Sequence, residues 1–500
     1  MNLGSILNNI EYKSFTGRED IDVSHITYDS RYVKNNSMFV AIKGLVEDGH
    51  KYIKSAIERG ASVIVCEAIP GELKSMASFI EVENSRKVMA RIAALIYDKP
   101  SEKLKLVGVT GTNGKTSITY LLKAIFDYLK IKNGIIGTLG IIIDDEHIKT
   151  EHTTPESSEI QHIMGKMIEK SVSVCSMEVS SHATELNRVD NLDFDTAIFT
   201  NLTRDHLDFH LTMENYYLAK KKLFYLTKNS NIINVDDEYG QRLYNELKSD
   251  GIKALSYAIN NDADIKASNL KTTIKGTEFD LKIEDLTKKV FVKTPGKFSV
   301  LNSMAALGTA YSLGIDIDEA IEALKCFNGV IGRFEVIDTK LDCTIILDFA
   351  HTPDGLAKVM DTINEFATGR KIVMFGAGGD RDISRRAPMG EIAGQNCDLT
   401  ILTSDNPRFE NPYDICEEIA QGVIKYGGEY KIIVEREDAI YYAIKNHKKD
   451  DVILLAGKST EPYQDIGIEK VPYDERTIAK NMIKRVEKEL GIKNSFDKSI

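Results

Sequence analysis

Apolar residues along this chain follow two rhythms, and the places where one gives way to the other mark its elements. In LKLVGVTGTNGKTSITYLLKAIFDYL, residues 104–129, Leu104, Leu106, Val107 and Val109 form a short apolar run that predicts a buried strand. After Lys115 the apolar positions Ile118, Leu121, Leu122, Ile125, Phe126 and Leu129 return at helical spacing. The alternation recurs throughout. SMFVAIKG and ASVIVCEA flank the helical YIKSAIERG near the start, VSVCSMEVSS, TAIFTNLT and NIINVDD follow in the middle, and CTIILDFAH, KIVMFGAGGD, LTILTSDNP and DVILLAGKS come later. Short apolar strands separated by helical or polar segments predict an α/β protein with parallel sheets. Pro100 in YDKPS closes the first group and GRFEVI precedes the last, so the expected domains are 1–100, 101–333 and 334–500. ERTIAKNMIKRVEKEL reads as an amphipathic surface helix.

In the last group every strand ends in Gly, Asp, Asn, Pro or Arg. Ligands of open α/β sheets gather at the carboxyl ends of strands. DFAHTPD, GAGGDRD, SDNPRFENP and AGKSTEPYQ are therefore expected to line one crevice. Taken alone, the glycines of GAGGD fit a plain turn better than a dinucleotide site.

Composition narrows the classes. Five hundred residues exceed what one core organises, and 42% hydrophobic with 28% charged residues supports ordinary globular cores, about three of them. A formal net charge of −11 argues against a nucleic acid partner, because binding a phosphate backbone needs a surplus of Lys and Arg. Cys66, Cys175, Cys326, Cys343, Cys397 and Cys416 contain no C-x-x-C pair, so each is read as a buried small hydrophobe. MNLGSILNNIEYKS lacks the basic head and apolar core of an export signal, and no run of about 18 apolar residues occurs. The expectation is a cytoplasmic protein without a membrane partner.

The turn between the strand and helix of residues 104–129 holds Gly108, Gly111 and Gly114, which leave room for backbone to approach a ligand, followed by helix amides without internal partners. That arrangement suits a phosphate chain, with Lys115 reaching the outer phosphates and Thr116 placing its hydroxyl on magnesium. The spacing is a variant, since the strict P-loop has glycine where Val109 stands. Glu178 at a strand end supplies an oxygen ligand of the kind magnesium prefers. His206 and His210 are spaced four apart, but Leu-Asp-Phe lies between them, and hydrogen-bonded loop histidines are favoured over a zinc pair. In YYLAKKKLF, Tyr216, Tyr217, Leu223 and Phe224 flank Lys220, Lys221 and Lys222. Two of these lysines are expected in solvent and one inward, where a buried amine needs a partner or a chemical change. Asp405, Asn406, Arg408 and Glu410, between Pro407 and Pro412, fit a zwitterion such as an amino acid, and a polar turn with local Asx bonds equally well.

With YDSR, MFVAIKG, GVTGTNGKT, TTPES, MEVSSHA, FTNLTRDHLDFH, AKKKLF, GRFE, DFAHTPD, GGDRD, DNPR and AGK in order, the chain resembles the Mur ligases, ATP-dependent amide-forming enzymes of peptidoglycan synthesis. The resemblance spans nearly the whole chain. It implies a UDP-binding N-terminal domain, a central P-loop ATPase domain and a Rossmann-like C-terminal domain that closes over the nucleotide. It assigns Gly111, Thr112, Asn113, Gly114, Lys115, Thr116 and Ser117 to ATP, with Asn302, Arg333 and Asp348 completing the nucleotide contacts. Ser30 resembles a uridine-site residue, and Thr153, Thr154, Ser180 and Arg188 resemble contacts to UDP-MurNAc-L-Ala-D-Glu. Thr116, Glu178 and His206 would form the Mg2+ shell, joined by Lys220 as a carbamate made with carbon dioxide. Lys115, Glu178, His206 and Lys220 would then be the catalytic set.

DNPR resembles the mark of the branch that ligates meso-diaminopimelate, whose extra carboxylate Arg408 and Arg381 can pair with. Asp405, Asn406, Pro407, Gly457 and Glu461 match the same amino-acid site. The family usually reads A-G-K-G-H-E, and here Ser459 and Thr460 replace glycine and histidine. A monomer is expected. A lysine-adding ligase, a folylpolyglutamate synthetase and a P-loop switch or motor are the competing readings.

Overall fold

A computed structural model of the protein describes residues 1–44 and 47–492, so the last eight residues of the expected third domain lie outside the described residues. The chain packs as two compact units. The first comprises Met1–Leu202, Thr212–Ser256 and Ala305–Glu319, and the second comprises Thr203–Leu211, Tyr257–Met304 and the chain from Ala320 onward.

The first unit contains two sheets. One has the order Ser14–Thr16, Ser78–Glu81, Ala61–Cys66, Ser37–Val40, His25–Thr27, parallel except for the antiparallel edge strand Ser14–Thr16. Its two faces bury separate clusters, around Val40, Val63 and Ile92 on one side and Phe39, Ile64 and Phe79 on the other. The helix Ser85–Ile96 is capped by Asn84, and three residues past its end Lys99 turns left-handed before Pro100. The other sheet runs Thr227–Asn234, Phe194–Phe199, Lys105–Thr110, Val174–Glu178, Asn133–Gly137 in parallel, as the apolar runs predict. Two antiparallel strands, Gly140–Ile143 and Glu146–Ile148, extend it and were not anticipated.

The second unit holds an antiparallel meander of Ile265–Thr273, Gly276–Ile283 and Leu286–Val292, another departure from the purely parallel expectation. Its middle strand buries Phe279, Leu281 and Ile283 and exposes or half-exposes the residues between, the pattern of a sheet with one wet face. The unit's larger sheet has the order Glu335–Ile337, Thr344–Asp348, Val452–Ala456, Lys371–Phe375, Leu399–Leu402, Tyr430–Ile432, all parallel but the first. Helices cover both faces, with Val373, Leu402 and Leu454 in one core and Ile345, Met374 and Ile453 in the other. Because the strands share one direction, DFAH, GAGGD, SDNPR and AGKS all leave the sheet at the same edge. The closing helix is Glu475–Glu489, capped by Asp474.

Cys66, Cys175 and Cys416 are buried as expected, but Cys343 and Cys397 are half-buried and Cys326, at the end of the helix Ile317–Cys326, is exposed. Burial pushes the Cys175 thiol up to about 12.

Candidate active site

The phosphate-loop motif sits between the strand Lys105–Thr110 and the helix Lys115–Tyr128. Gly114 caps the helix with φ 94°, in the region that disfavours a Cβ. Gly111 has φ 143°, and a Cβ there would come within 1.8 Å of Thr200 Oγ1. Gly108 has a different task from the one expected. It lies within the strand, and a Cβ would strike the Phe194 ring at 2.8 Å, so it serves strand packing rather than ligand approach.

The loop is laced to residues after the strand Phe194–Phe199. Thr112 N–H donates to Asn201 O (2.8 Å), Asn113 N–H to Asn201 Oδ1 (3.0 Å), and Thr200 Oγ1 donates to Asn113 O (2.6 Å). Two amines converge on one carbonyl: Lys115 Nζ donates to Gly111 O (2.9 Å) and Thr112 O (3.0 Å), and Lys220 Nζ to Gly111 O (3.0 Å). Lys220 is the inward lysine of its triplet, 1% exposed and 4.7 Å from the Tyr216 ring centroid. Lys221 pairs with Glu246 and the exposed Lys222 with Glu185. Thr116 is buried at the first turn, and Ser117 is half-buried beside it.

Glu178 ends the strand Val174–Glu178 and spends both carboxylate oxygens on Thr138, accepting from its N–H (2.9 Å) and its Oγ1 (3.0 Å). Thr138 Oγ1 lies 3.1 Å from Thr153 Oγ1. Thr154 Oγ1 donates to Glu178 O (2.8 Å) and accepts from Ser180 N–H (3.0 Å), while Arg188 Nη1 donates to Thr154 O (2.9 Å). Thr153, Thr154, Ser180 and Arg188, dispersed in sequence, thus belong to one network around Glu178. Arg188 and Arg86 both pair with the buried Glu156. Ser30 lies on a short turn capped by Asp29, whose carboxylate pairs with Arg31.

In the second unit Asp348, at the end of its strand, accepts from Phe334 N–H and Ala350 N–H, each at 2.7 Å. Burial pushes its carboxyl up, against the pull of Arg333 and those two amides. The Arg333 guanidinium lies 4.5 Å from the Phe349 ring centroid, and Asn302 is buried on the helix Lys297–Ser312. His206 takes a left-handed backbone with φ 52°, its Nε2 3.5 Å from Asp205 Oδ2. Burial opposes ionisation of Asp205, but His206, Arg385 and His351 hold its carboxyl below the ordinary range. His210 is buried, its ring against Phe209. Among the described residues no group of three or more His, Cys, Asp and Glu is placed to hold a metal by itself.

The SDNPR loop is tied down from two sides. Arg408, with φ 50°, donates from Nη1 to Gly379 O (2.7 Å) and sits 3.5 Å from Asp465 Oδ2. Asn406 donates to Glu461 Oε2 (2.9 Å), which also pairs with Lys458 Nζ (2.6 Å), so the Glu461 carboxylate is held by neighbours. Asp405 lies 3.9 Å from Arg436, and a Cβ on Gly457 would reach Asp405 Oδ2 at 3.2 Å. Pro407 precedes Arg408, and its carbonyl accepts from Glu410 N–H. Arg381 lines a cavity of about 420 Å³ with Arg204, Leu207, Asp208, Asp380 and Asp382, and flanks Gly378 together with Arg408.

Sequence reasoning singled out neither Thr138, Thr200, Asn201 nor Lys458. The packing that seats Thr138 shows at its neighbour Gly137, where a Cβ would meet Glu178 at 2.4 Å.

A glycine-rich strand-to-helix turn on one parallel sheet, followed by a second α/β sheet, is the frame of an ATP-dependent amide ligase. Residues 109–310 match the Mur ligase middle domain, 332–459 the Mur ligase glutamate ligase domain and 22–97 the Mur ligase family catalytic domain. The chain belongs to the Mur ligase family. It is 44% identical to the UDP-N-acetylmuramoyl-L-alanyl-D-glutamate--2,6-diaminopimelate ligase of Caldanaerobacter subterraneus subsp. tengcongensis, over 98% of this chain and 100% of the relative. It is 46% identical to the protein of that name from Alkaliphilus oremlandii, over 96% and 98%. A solved structure of a ligase of the same name superposes with TM-score 0.70 and 27% identity, covering 97% of this chain and 99% of that one.

Proposed function

We infer that this chain is an ATP-dependent ligase that joins meso-diaminopimelate to the D-glutamate γ-carboxylate of UDP-MurNAc-L-Ala-D-Glu in peptidoglycan precursor synthesis. The observation that carries the reading is the bonded network of Thr153, Thr154, Ser180 and Arg188 around Glu178, in a chain whose relatives bear that ligase name from end to end. A carboxylate is a poor acylating agent. Its oxygen attacks the γ-phosphorus of ATP, ADP leaves, and an acyl phosphate forms. The amine then attacks the acyl carbon, the C–N bond forms, and phosphate departs. Lys115, swinging from its loop carbonyls to the outer phosphates, and the first amides of the helix Lys115–Tyr128 would offset charge on the migrating phosphoryl group. Arg188 and Ser180 would orient the acceptor carboxylate.

The donors fit a hard cation. Thr116 and Glu178 offer oxygens, and the lack of a preformed cage among the described residues suits Mg2+, which keeps waters and leans on substrate phosphates. When bound, Mg2+ supplies Lewis-acid neutralisation of phosphate charge. The buried amine of Lys220 fits conversion to a carbamate by carbon dioxide, which would turn a costly cation into an anionic ligand. His206 would serve the same shell. Arg333, Asp348 and Asn302 would contact the nucleotide, Ser30 the uridine, and Arg408, Arg381, Asp405, Asn406, Gly457 and Glu461 the amino acid. The enzyme would act in the cytoplasm as a monomer. No described helix is long and apolar enough to cross a membrane.

Phosphate release measured with all three substrates tests the reading. Release should need the dipeptide and meso-diaminopimelate together, and the Lys115→Ala variant should lose it by at least ~100-fold. Release sustained by lysine alone would assign the lysine-adding chemistry instead.

A further inference from the structure

Ser459 is a departure from the family pattern, and its surroundings give it a task. It has φ 52°, a backbone region that residues with a Cβ rarely occupy, yet it is 1% exposed. Two bonds keep it there. Its N–H donates to Glu475 Oε2 (2.6 Å), and its Oγ donates to Gly332 O (2.9 Å). Glu475 is itself fixed by Arg436, whose Nη2 donates to Ala456 O (2.8 Å).

The Gly332 carbonyl is a junction. It also accepts from Phe349 N–H (3.1 Å), and the residues flanking the two partners are those read above as nucleotide contacts. Arg333 follows Gly332 and stacks on Phe349, while Asp348 precedes Phe349 and accepts from Phe334. Fixing one carbonyl therefore fixes the spacing of Arg333 and Asp348. The preceding residue reaches the SDNPR loop: Lys458, fully buried, bonds Asn406 Oδ1 (2.5 Å), and also Glu461 Oε2 (2.6 Å) of its own segment, to which Asn406 donates in turn. One dipeptide thus holds both loops. Gly332 leaves no slack, since a Cβ on it would lie 1.9 Å from Ser459 Oγ.

We propose that Ser459 is a positioning residue whose hydroxyl ties the amino-acid loop to the Arg333–Asp348 nucleotide contacts, so that filling the first stiffens the second. The proposal rests on the ligase reading for its ligands. Ser459 is buried, and its hydroxyl is spent on Gly332 O. Its hydroxyl acts through the Gly332 carbonyl.

The test compares wild type with Ser459→Ala and Ser459→Gly, using direct binding of ATP with Mg2+, with and without meso-diaminopimelate, beside steady-state kinetics and thermal melting. Ser459→Gly removes the hydroxyl and also the left-handed strain, so it should melt no lower than wild type. Both variants should weaken ATP binding by ~5-fold, about the loss of one hydrogen bond. Both should lose any tightening of ATP by meso-diaminopimelate, with the KM for UDP-MurNAc-L-Ala-D-Glu within twofold of wild type. ATP affinity within twofold of wild type in Ser459→Gly, with or without the amino acid, overturns the proposal. A purely structural role would lower melting in Ser459→Ala and leave Ser459→Gly with normal ATP affinity. Because ATP binding is read directly, a wild type that binds ATP but forms no amide would refute the ligase reading and leave this comparison decisive.

Discussion

Lys220 brings an amine to a position 1% exposed, where it meets a carbonyl and an aromatic face. Taking a cation out of water costs several kcal/mol before its partners offset it, and an apolar side chain of similar length avoids that cost. Methionine has a similar length and no charge, and Gly111 O would retain its bond from Lys115. The Lys220→Met variant should therefore melt within about 2 °C of wild type, yet its phosphate release should fall by ~100-fold or more. A scanning-calorimetry trace alongside a phosphate assay checks both halves. Equal loss of stability and activity would mark the amine as structural.

The helix Met213–Lys221 that carries Lys220 is clamped to the helix Glu238–Ser249 through one carboxylate. Glu246 accepts from Tyr217 OH (2.6 Å) and Arg242 Nε (2.8 Å), and pairs with Lys221 Nζ (2.8 Å). Burial works against the charged form, but Lys221, Tyr217 and Arg242 outweigh it and bring the Glu246 carboxyl down to about 2 from 4.5. A depressed carboxyl pKa contributes stability that is complete above the unfolded value and is lost as pH falls toward the folded one. The urea midpoint of wild type should exceed that of Glu246→Gln by a constant margin from about pH 8 to 5, narrowing from about pH 4.5 downward. A margin independent of pH down to 3.5 would contradict the clamp. The arrangement fixes the rotation of the Lys220 helix, and so which of three consecutive lysines faces the phosphate loop.

At the scale of the whole molecule, ligands that bind only the folded chain raise its stability by mass action. ATP with Mg2+ at about a hundred times its dissociation constant should raise the melting temperature by ~1–3 °C. A chelator, or the Lys115→Ala change, should abolish most of that rise in a dye-monitored melt. The formal charge of −11 works alongside, since an acidic surface repels polyanions.

The α/β alternation and the glycine-rich turn from strand to helix were legible in the sequence, because periodicity and glycine placement are encoded within a few residues. The strand Ile265–Thr273 was not, since it carries few apolar residues and a register shift between Ser268 and Lys271 breaks its two-residue period. Gly108 shows the limit of motif reading: in sequence it counts with Gly111 and Gly114, and in space it yields to Phe194. Strand order decides such matters. Lys105–Thr110 lies between Val174–Glu178 and Phe194–Phe199, so Thr200 and Asn201 reach the phosphate loop from about 90 residues away. Ser459 and Gly332 are 127 residues apart and share one hydrogen bond. The sequence by itself determined the α/β alternation, the glycine-rich turn and the chemistry their side chains can offer. Tertiary structure alone decided which lysine is buried, which threonines hold Glu178 and which carbonyl Ser459 secures, because each depends on neighbours that only the packed sheets bring within a few ångströms.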